Sequence, residues 1–182
     1  WISDLEKRPS GRFLFGKVFV RPPRFRRDPR GWLECPGASR HDWPMHRTLT
    51  IPTSGPGLYD FTSEVAVWAK TYAEPEGLLT LFIRHTSASL LIQENADPGV
   101  QTDLREYFHR LVPPASDLAM TYLTHTYEGP DDMPAHIKAA LLPTSLQIPV
   151  IFGRLALGIW QGIYLFEHRD KPHQREVVAM LR

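Results

Sequence analysis

From residue 46 onward the chain alternates between two hydrophobic periods. RTLTIPT (47–53) sets polar against apolar residues one by one, the pattern of a strand with one buried face. SGPG breaks it. In the following LYDFTSEVAVWAKTY, Val65, Trp68, Ala69 and Tyr72 fall on one face of a helix, with Asp60, Thr62 or Ser63 available as its cap. EPEG ends that helix. LLTLFI is a compact apolar strand delivering HTSAS at its end, and SLLIQEN continues extended. DPG reads as a turn before an amphipathic helix, VQTDLREYFHRLVP, with Val100, Leu104, Phe108 and Leu111 inward. A third helix, MPAHIKAALL, has Asp131 or Asp132 as N-cap and Pro134 in its first turn, where a missing N–H costs nothing. SLQIPVIFG, RLALGIWQGIYLFEH and REVVAML complete a strand-rich C-terminal third. This order predicts an α+β fold, with about three helices on one side of a largely antiparallel sheet.

Residues 1–44 have a different texture. They carry six prolines and the run RPPRFRRDPRGW, which excludes helix without offering an alternating pattern in its place. Most of this stretch reads as irregular or disordered. Phe13 to Val20 is apolar enough for an edge strand that would act as a docking arm, but composition favours a poorly ordered extension. Met45 reads as a native start, so the expected division is an extension over 1–44 and a domain over 45–182.

Charge follows the same boundary. Residues 1–44 hold ten Lys/Arg against five Asp/Glu, and residues 45–182 hold eleven against fifteen. The basic start suits nucleic acid or an anionic surface, yet the globular part has no matching basic stripe, so nucleic-acid binding ranks last. Cys35 is the single cysteine and reads as an incidental thiol, without an internal disulfide or a CxxC motif. No apolar run approaches the roughly 20 residues that span a bilayer, and no secretory leader pattern opens the chain, which sets a cytoplasmic expectation and no membrane partner. Walker-type loops, GxGxxG, GxSxG and HExxH are missing from the sequence.

Three segments carry chemistry. In RHTSASLLIQENADP, His85, Thr86, Ser87 and Ser89 sit where an apolar strand ends, and Glu94, Asn95 and Asp97 follow, a rim suited to an oxygen-rich ligand. Any one hydroxyl reads equally well as ordinary strand-end composition. In HTYEGPDDMPAHIKAALL, His125, Glu128, Asp131, Asp132 and His136 crowd twelve residues around a Gly-Pro turn and a helix start. Imidazole and carboxylate permit a divalent metal, zinc or magnesium, although the spacing matches no closed zinc motif. The same helix start suits an anion by about 0.3–1 kcal/mol, and the plainer alternative makes the aspartates caps and His136 a surface residue.

In GRLALGIWQGIYLFEHR, Gly158 and Gly162 interrupt two apolar stretches, as happens where another backbone or a ligand approaches closely. Trp160 and Gln161 read as core and cross-strand packing. Strand alternation sets Glu167 and Arg169 on one face and His168 with Phe166 on the other. His41, His46, His109 and His173 receive no role.

HTSASLLIQENADP, EGPDDMPAHIKAALL and GRLALGIWQGIYLFEHR, in that order and approximate spacing, resemble the YjbQ-like family, uncharacterised protein family 0047, from about His46 to Arg182. The resemblance implies a sandwich-like α+β domain assembled as a homotrimer. It also implies a polar pocket near subunit contacts containing His85, His125, Asp132, His136 and His168, with metal binding. Members have been credited with thiamine-phosphate synthase activity as a secondary activity, with the primary role open. Pro143 and Thr144 stand where the family tends toward Gly and Ser, and DKPHQ replaces a glycine-rich turn.

These readings lead to one expected site for a small phosphorylated ligand. A metal sits on His125, Asp132 and His136, with Glu94 a further candidate for metal or phosphate. His85, His136 and His168 are the candidate acid–base or catalytic groups. Ser87, Ser89, Glu94, Asn95, Arg154 and Arg169 bind the ligand, the arginines through phosphate. The competing class is a binding or sensing module that holds a phosphorylated metabolite without converting it.

Overall fold

The computed structural model describes residues 45–182 apart from Ala73, together with the backbone of two short strands, β1 (Arg26–Arg27) and β2 (Leu33–Glu34). The chain divides into two units, Trp1–Ala38 and Ser39–Arg182. In the first, β1 and β2 pair antiparallel. The expectations of an edge strand at Phe13–Val20 and of an irregular extension otherwise lie outside the described residues.

In the second unit, alternation governs β3 (Met45–Thr53), which turns Leu49, Ile51 and Thr53 inward. It pairs with β10 (His173–Leu181), whose inward residues are Arg175, Val177, Ala179 and Leu181. With β5 (Glu76–Ile83), β7 (Ser145–Ile151) and β8 (Arg154–Leu155) these strands form a five-stranded sheet in the order β3-β10-β5-β7-β8. A second sheet runs β4-β9-β6, from β4 (Gly57–Asp60), β9 (Gln161–Glu167) and β6 (Ala88–Glu94). Every pairing is antiparallel. One hydrophobic core joins them: Leu79, Leu81, Ile148 and Val177 from the larger sheet, Leu90, Ile163 and Leu165 from the smaller. The molecule is α+β with a sandwich-like arrangement of sheets, as expected.

β4 precedes the first helix without a signal in the residue pattern: the four residues Gly57–Asp60 are too few to show a period. The helix α1 (Thr62–Ala69) follows at once. Its first N–H is satisfied by Asp60 Oδ1 at 2.8 Å, and Thr62 Oγ1 accepts the Ile163 N–H at 2.7 Å, which ties the helix start to β9. Val65, Trp68 and Ala69 are buried beneath it.

α2 (Pro98–Leu111) begins inside the DPG segment, so DPG is a helix start and not a separate turn. Asp97 is the N-cap, accepting the Gly99 N–H at 2.7 Å, and Pro98 occupies the first turn. The helix buries none of its residues; Leu111, expected inward, is 51% exposed, while Val100, Leu104 and Phe108 are half-buried. α3 (Asp132–Leu141) buries Asp132, Pro134, Ala135 and Ala139.

β9 is buried along its length after Gln161. Ile163, Leu165 and Glu167 face the larger sheet, whereas Tyr164 and Phe166 face the helices: Tyr164 Oη accepts from Gln101 of α2, and Phe108 meets Phe166 edge-on at 5.6 Å. Between β8 and β9 the chain leaves the sheets. Ile159 and Trp160 there are 82% and 61% exposed, which corrects the expectation of Trp160 as core. The close approach expected at Gly162 is real, but its cause is local: a Cβ there would stand 2.8 Å from the Tyr164 ring and 3.2 Å from Asn95 Cβ. No helix among the described residues is long and apolar enough to cross a membrane.

Candidate functional site

α3 brings the densest cluster of ligating groups together. Asp132 and His136, four residues apart, share one face of the helix, and His125 arrives from the preceding loop. The His125 Nε2–H donates to Asp132 Oδ2 at 2.7 Å, and His136 Nε2 lies 3.7 Å from the same oxygen. One ligand atom from each residue falls within 4.8 Å of the other two. The His136 Nδ1–H donates to the Thr86 carbonyl at 2.9 Å, which fixes the tautomer and leaves Nε2 with its lone pair toward Asp132. The exposed Tyr127 ring stands against His125 at 4.5 Å.

Arg169 closes the other side of this cluster. Its Nε–H donates to Asp131 Oδ2 at 2.8 Å, Nη1 to Asp132 Oδ1, and Nη2 to the Glu128 carbonyl at 3.2 Å. Asp131 therefore occupies the N-cap position without capping the helix through its side chain. Burial pushes its carboxyl up, but the Asp170 N–H and the Arg169 guanidinium outweigh that and hold it below the usual aspartate range. The expectation that Arg169 faces with Glu167 does not hold, because β9 ends at Glu167 and alternation ends with it.

Glu167 turns instead into the space between the sheets. It accepts from Arg175 Nε at 2.7 Å and Nη2 at 2.5 Å, from Thr53 Oγ1 at 2.7 Å, and from the His168 and Arg169 N–H groups at 3.0 Å each. Arg175 also donates to Ser87 Oγ at 3.1 Å. His85 sits at the edge of this network, its Nε2 accepting the Glu176 N–H at 2.8 Å. Burial first, then the Arg175 charge, holds its pKa below the usual histidine value. Ser87 and His85 thus serve the ion pair and the strand end.

His168 points with Phe166, as expected, their rings 4.6 Å apart. Its Nε2 shares a hydrogen bond of 2.9 Å with the buried Ser89 Oγ. Burial and the nearby Lys138 charge push its pKa down to about 3, so the ring is neutral at physiological pH. It lines a cavity of about 420 Å³ beneath α2, together with Phe108, Phe166, Pro134 and Lys138. Pro134 and Lys138 are offset by two residues from Asp132 and His136, or about 200° around the helix, so α3 shows the cavity one face and the ligating cluster the opposite one.

The remaining expected residues lie elsewhere. β6 pairs Ala88 with Glu167 but Glu94 with Gln161, which sets Glu94 about 17 Å along the strand from Ser89, with Asn95 just beyond the strand's end. Arg154 is exposed on the two-residue edge strand β8 of the other sheet. Sequence reasoning passed over Arg175, Thr53 and Lys138. Helical spacing around Pro134 would have drawn attention to Lys138; nothing local marks Arg175 or Thr53, whose partner lies on another strand.

Residues 47–182 match the family model described as UPF0047 protein YjbQ-like. A UPF0047 protein of Synechocystis sp. is 52% identical over 131 residues, covering 72% of this chain and 86% of its own length. The UPF0047 protein YjbQ of Escherichia coli O157:H7 is 42% identical over 137 residues, covering 75% and 96%. Among solved structures, an uncharacterised conserved protein of the YjbQ/UPF0047 family from Clostridium acetobutylicum superposes with a TM-score of 0.66 at 33% identity, covering 75% of this chain and 99% of its own. A conserved hypothetical protein from Thermus thermophilus does so with 0.64 at 33%, with the same coverage. By family match, sequence identity and shared fold, the chain belongs to the UPF0047 YjbQ-like family, whose function is unknown.

Proposed function

We propose that the domain binds a divalent metal on His125, Asp132 and His136 and holds a small phosphorylated molecule beside it, with a thiamine-phosphate-synthase-like condensation as a secondary activity. The observation that carries this reading is the His136 imidazole, anchored through Nδ1 to a backbone carbonyl so that Nε2 faces the carboxylate that His125 already engages. Tetrahedral zinc sets neighbouring N and O ligands about 3.4 Å apart, and the two separations here, 2.7 and 3.7 Å, bracket that value. Arg169 occupies Oδ1 of Asp132, leaving Oδ2 for the metal. Two imidazoles and one carboxylate oxygen suit zinc better than the oxygen-seeking magnesium, and leave coordination positions for a ligand.

When bound, the ion would supply positive charge against phosphate oxygens. The chain's own residues supply the frame: Arg169 fixes both aspartates, and Thr86 fixes His136. Binding without turnover is the second reading. It is favoured by His85 and His168, both expected as proton carriers, because each already has its Nε2 in a hydrogen bond. Glu94, Asn95 and Arg154 join the site only if a neighbouring copy supplies them. A cytoplasmic homotrimer is part of the same proposal, supported as an assembly by the exposed Phe152, Ile159 and Trp160.

The test is calorimetric titration of zinc and magnesium into tag-free protein, followed by a thermal-shift panel of phosphorylated ligands and product analysis with hydroxymethylpyrimidine diphosphate and thiazole phosphate. Stoichiometric zinc binding lost in both His125→Ala and His136→Ala supports the site. Unchanged zinc binding in both variants overturns it. Stabilisation by a phosphorylated ligand without product selects the binding module over the enzyme.

A further inference from the structure

The cavity beneath α2 lies on the face of α3 turned away from the ligating cluster, and nothing in the proposed metal chemistry uses it. We propose that it is a binding site for a small ring-bearing anion, its ring against Phe108, Phe166 and Pro134, its anionic oxygens on Lys138 and the His168 Nδ1–H.

Size and walls fit. About 420 Å³ lies within the roughly 300–1,000 Å³ of small-molecule sites. Phe108 and Phe166 meet edge-to-face at 5.6 Å, and the His168 ring stands edge-on to Phe166, so the wall offers aromatic edges and faces to a planar guest.

The polar groups fix the sign of the ligand. His168 is 3% exposed, and its Nδ1 is the one buried side-chain nitrogen or oxygen without a hydrogen-bond partner among the described residues. Native structures rarely leave such an atom unpaired. Where the Ser89 hydroxyl donates to Nε2, the neutral ring carries its proton on Nδ1, and the missing partner is an acceptor. Lys138 lines the same cavity and forms no ion pair among the described residues. The acids there other than Asp170 are engaged: Asp131 by Arg169, Glu106 by Arg110 and Glu167 by Arg175. Lys138 and Arg105 remain against Asp170, a balance that favours an anion. The roof agrees, since α2 is amphipathic yet buries none of its residues, as a helix does when the space below its apolar face is left open.

The experiment titrates the full chain, in EDTA, with benzoate and with phenyl phosphate, using benzamide as the uncharged control and reading amide and imidazole-ring chemical shifts, His168 included. At least one anion is expected to bind about tenfold more tightly than benzamide, with shifts at Phe108, Lys138 and His168. The two anions separate a carboxylate from a phosphoryl ligand. Lys138→Met is expected to reduce the anion to the benzamide level while leaving the fold intact, and His168→Phe to weaken it without emptying the aromatic wall. Equal binding of benzamide and both anions, an unchanged affinity in Lys138→Met, or no shift at cavity residues on the order of 10 mM ligand would each overturn the proposal. Because metal is absent throughout, failure here leaves the zinc reading untouched, and failure of zinc binding leaves this one untouched.

Discussion

The Glu167 carboxylate and the Arg175 guanidinium face each other across the two sheets, joined by hydrogen bonds of 2.7 and 2.5 Å, with side chains 0% and 4% exposed. Burial alone would push the Glu167 carboxyl up. Arg175, the Arg169 N–H and Thr53 together overcome that and hold it below the usual glutamate range. The pair also carries the backbone of the Glu167–Arg169 segment, since the same carboxylate accepts two consecutive N–H groups.

Removing one partner leaves a buried charge uncompensated. Arg175→Met is expected to destabilise the fold by about 3–5 kcal/mol, measured by urea denaturation at about pH 7. The double variant Glu167→Gln with Arg175→Met is expected to cost less than Arg175→Met alone, because no charge is then stranded. Because the folded pKa of Glu167 is depressed, its stabilisation is present above the unfolded value near 4.5 and fades as pH falls through the folded value.

The two tryptophans of the described domain give a contrast in packing. Trp68 is 8% exposed beneath α1, whereas Trp160 stands outside both sheets. Trp68→Ala is expected to cost about 3–5 kcal/mol. In dilute protein, Trp160→Ala should fall within about 0.5 kcal/mol of the parent, as surface changes do. Equal losses in paired denaturation curves would show that the Trp160 loop is packed in solution.

Much of this structure was legible in the residues, and the failures have physical causes. A period of two placed β3, apolar runs bounded by turn residues placed β5 and β6, and helical spacing with capping residues placed the three helices. β4 was missed because four residues carry no period. Leu111 and Trp160 misled because apolar character reports a tendency to be buried, not what is available to bury it. The ligating cluster was visible because its members lie within twelve residues of one another. The wider site was overdrawn: Ser89 and Glu94 look adjacent in sequence, yet an extended strand separates them by most of its length. Arg175 was invisible because its partner Glu167 is reached only by folding one sheet onto the other.

Metal removal tests the cluster on α3 through stability. A ligand that binds only the folded state stabilises it by about 2.7 kcal/mol at a concentration roughly 100 times its dissociation constant. Zinc added to metal-free protein is therefore expected to raise the melting temperature in a concentration-dependent way, and EDTA to reverse it. In His136→Ala the rise should be lost. A rise that persists there would place the zinc on other residues.

His168 gives the domain an acid sensitivity of defined sign. Its folded pKa lies near 3, against an ordinary value of 6.5, because burial and the Lys138 charge disfavour the imidazolium. Between those two values the unfolded chain binds a proton that the folded chain refuses, so this residue makes stability rise with pH across the window. Above 6.5 both states are neutral and the contribution is flat. His168→Phe keeps a ring in the wall and removes the titrating group, so its stability should fall less steeply than the parent's from about pH 6.5 to about pH 4. The imidazole nitrogen shifts of His168 should show no titration over that range. A His168 titration midpoint near 6.5 would mean that the ring is open to water, and the slope of the parent would then have to come from another group.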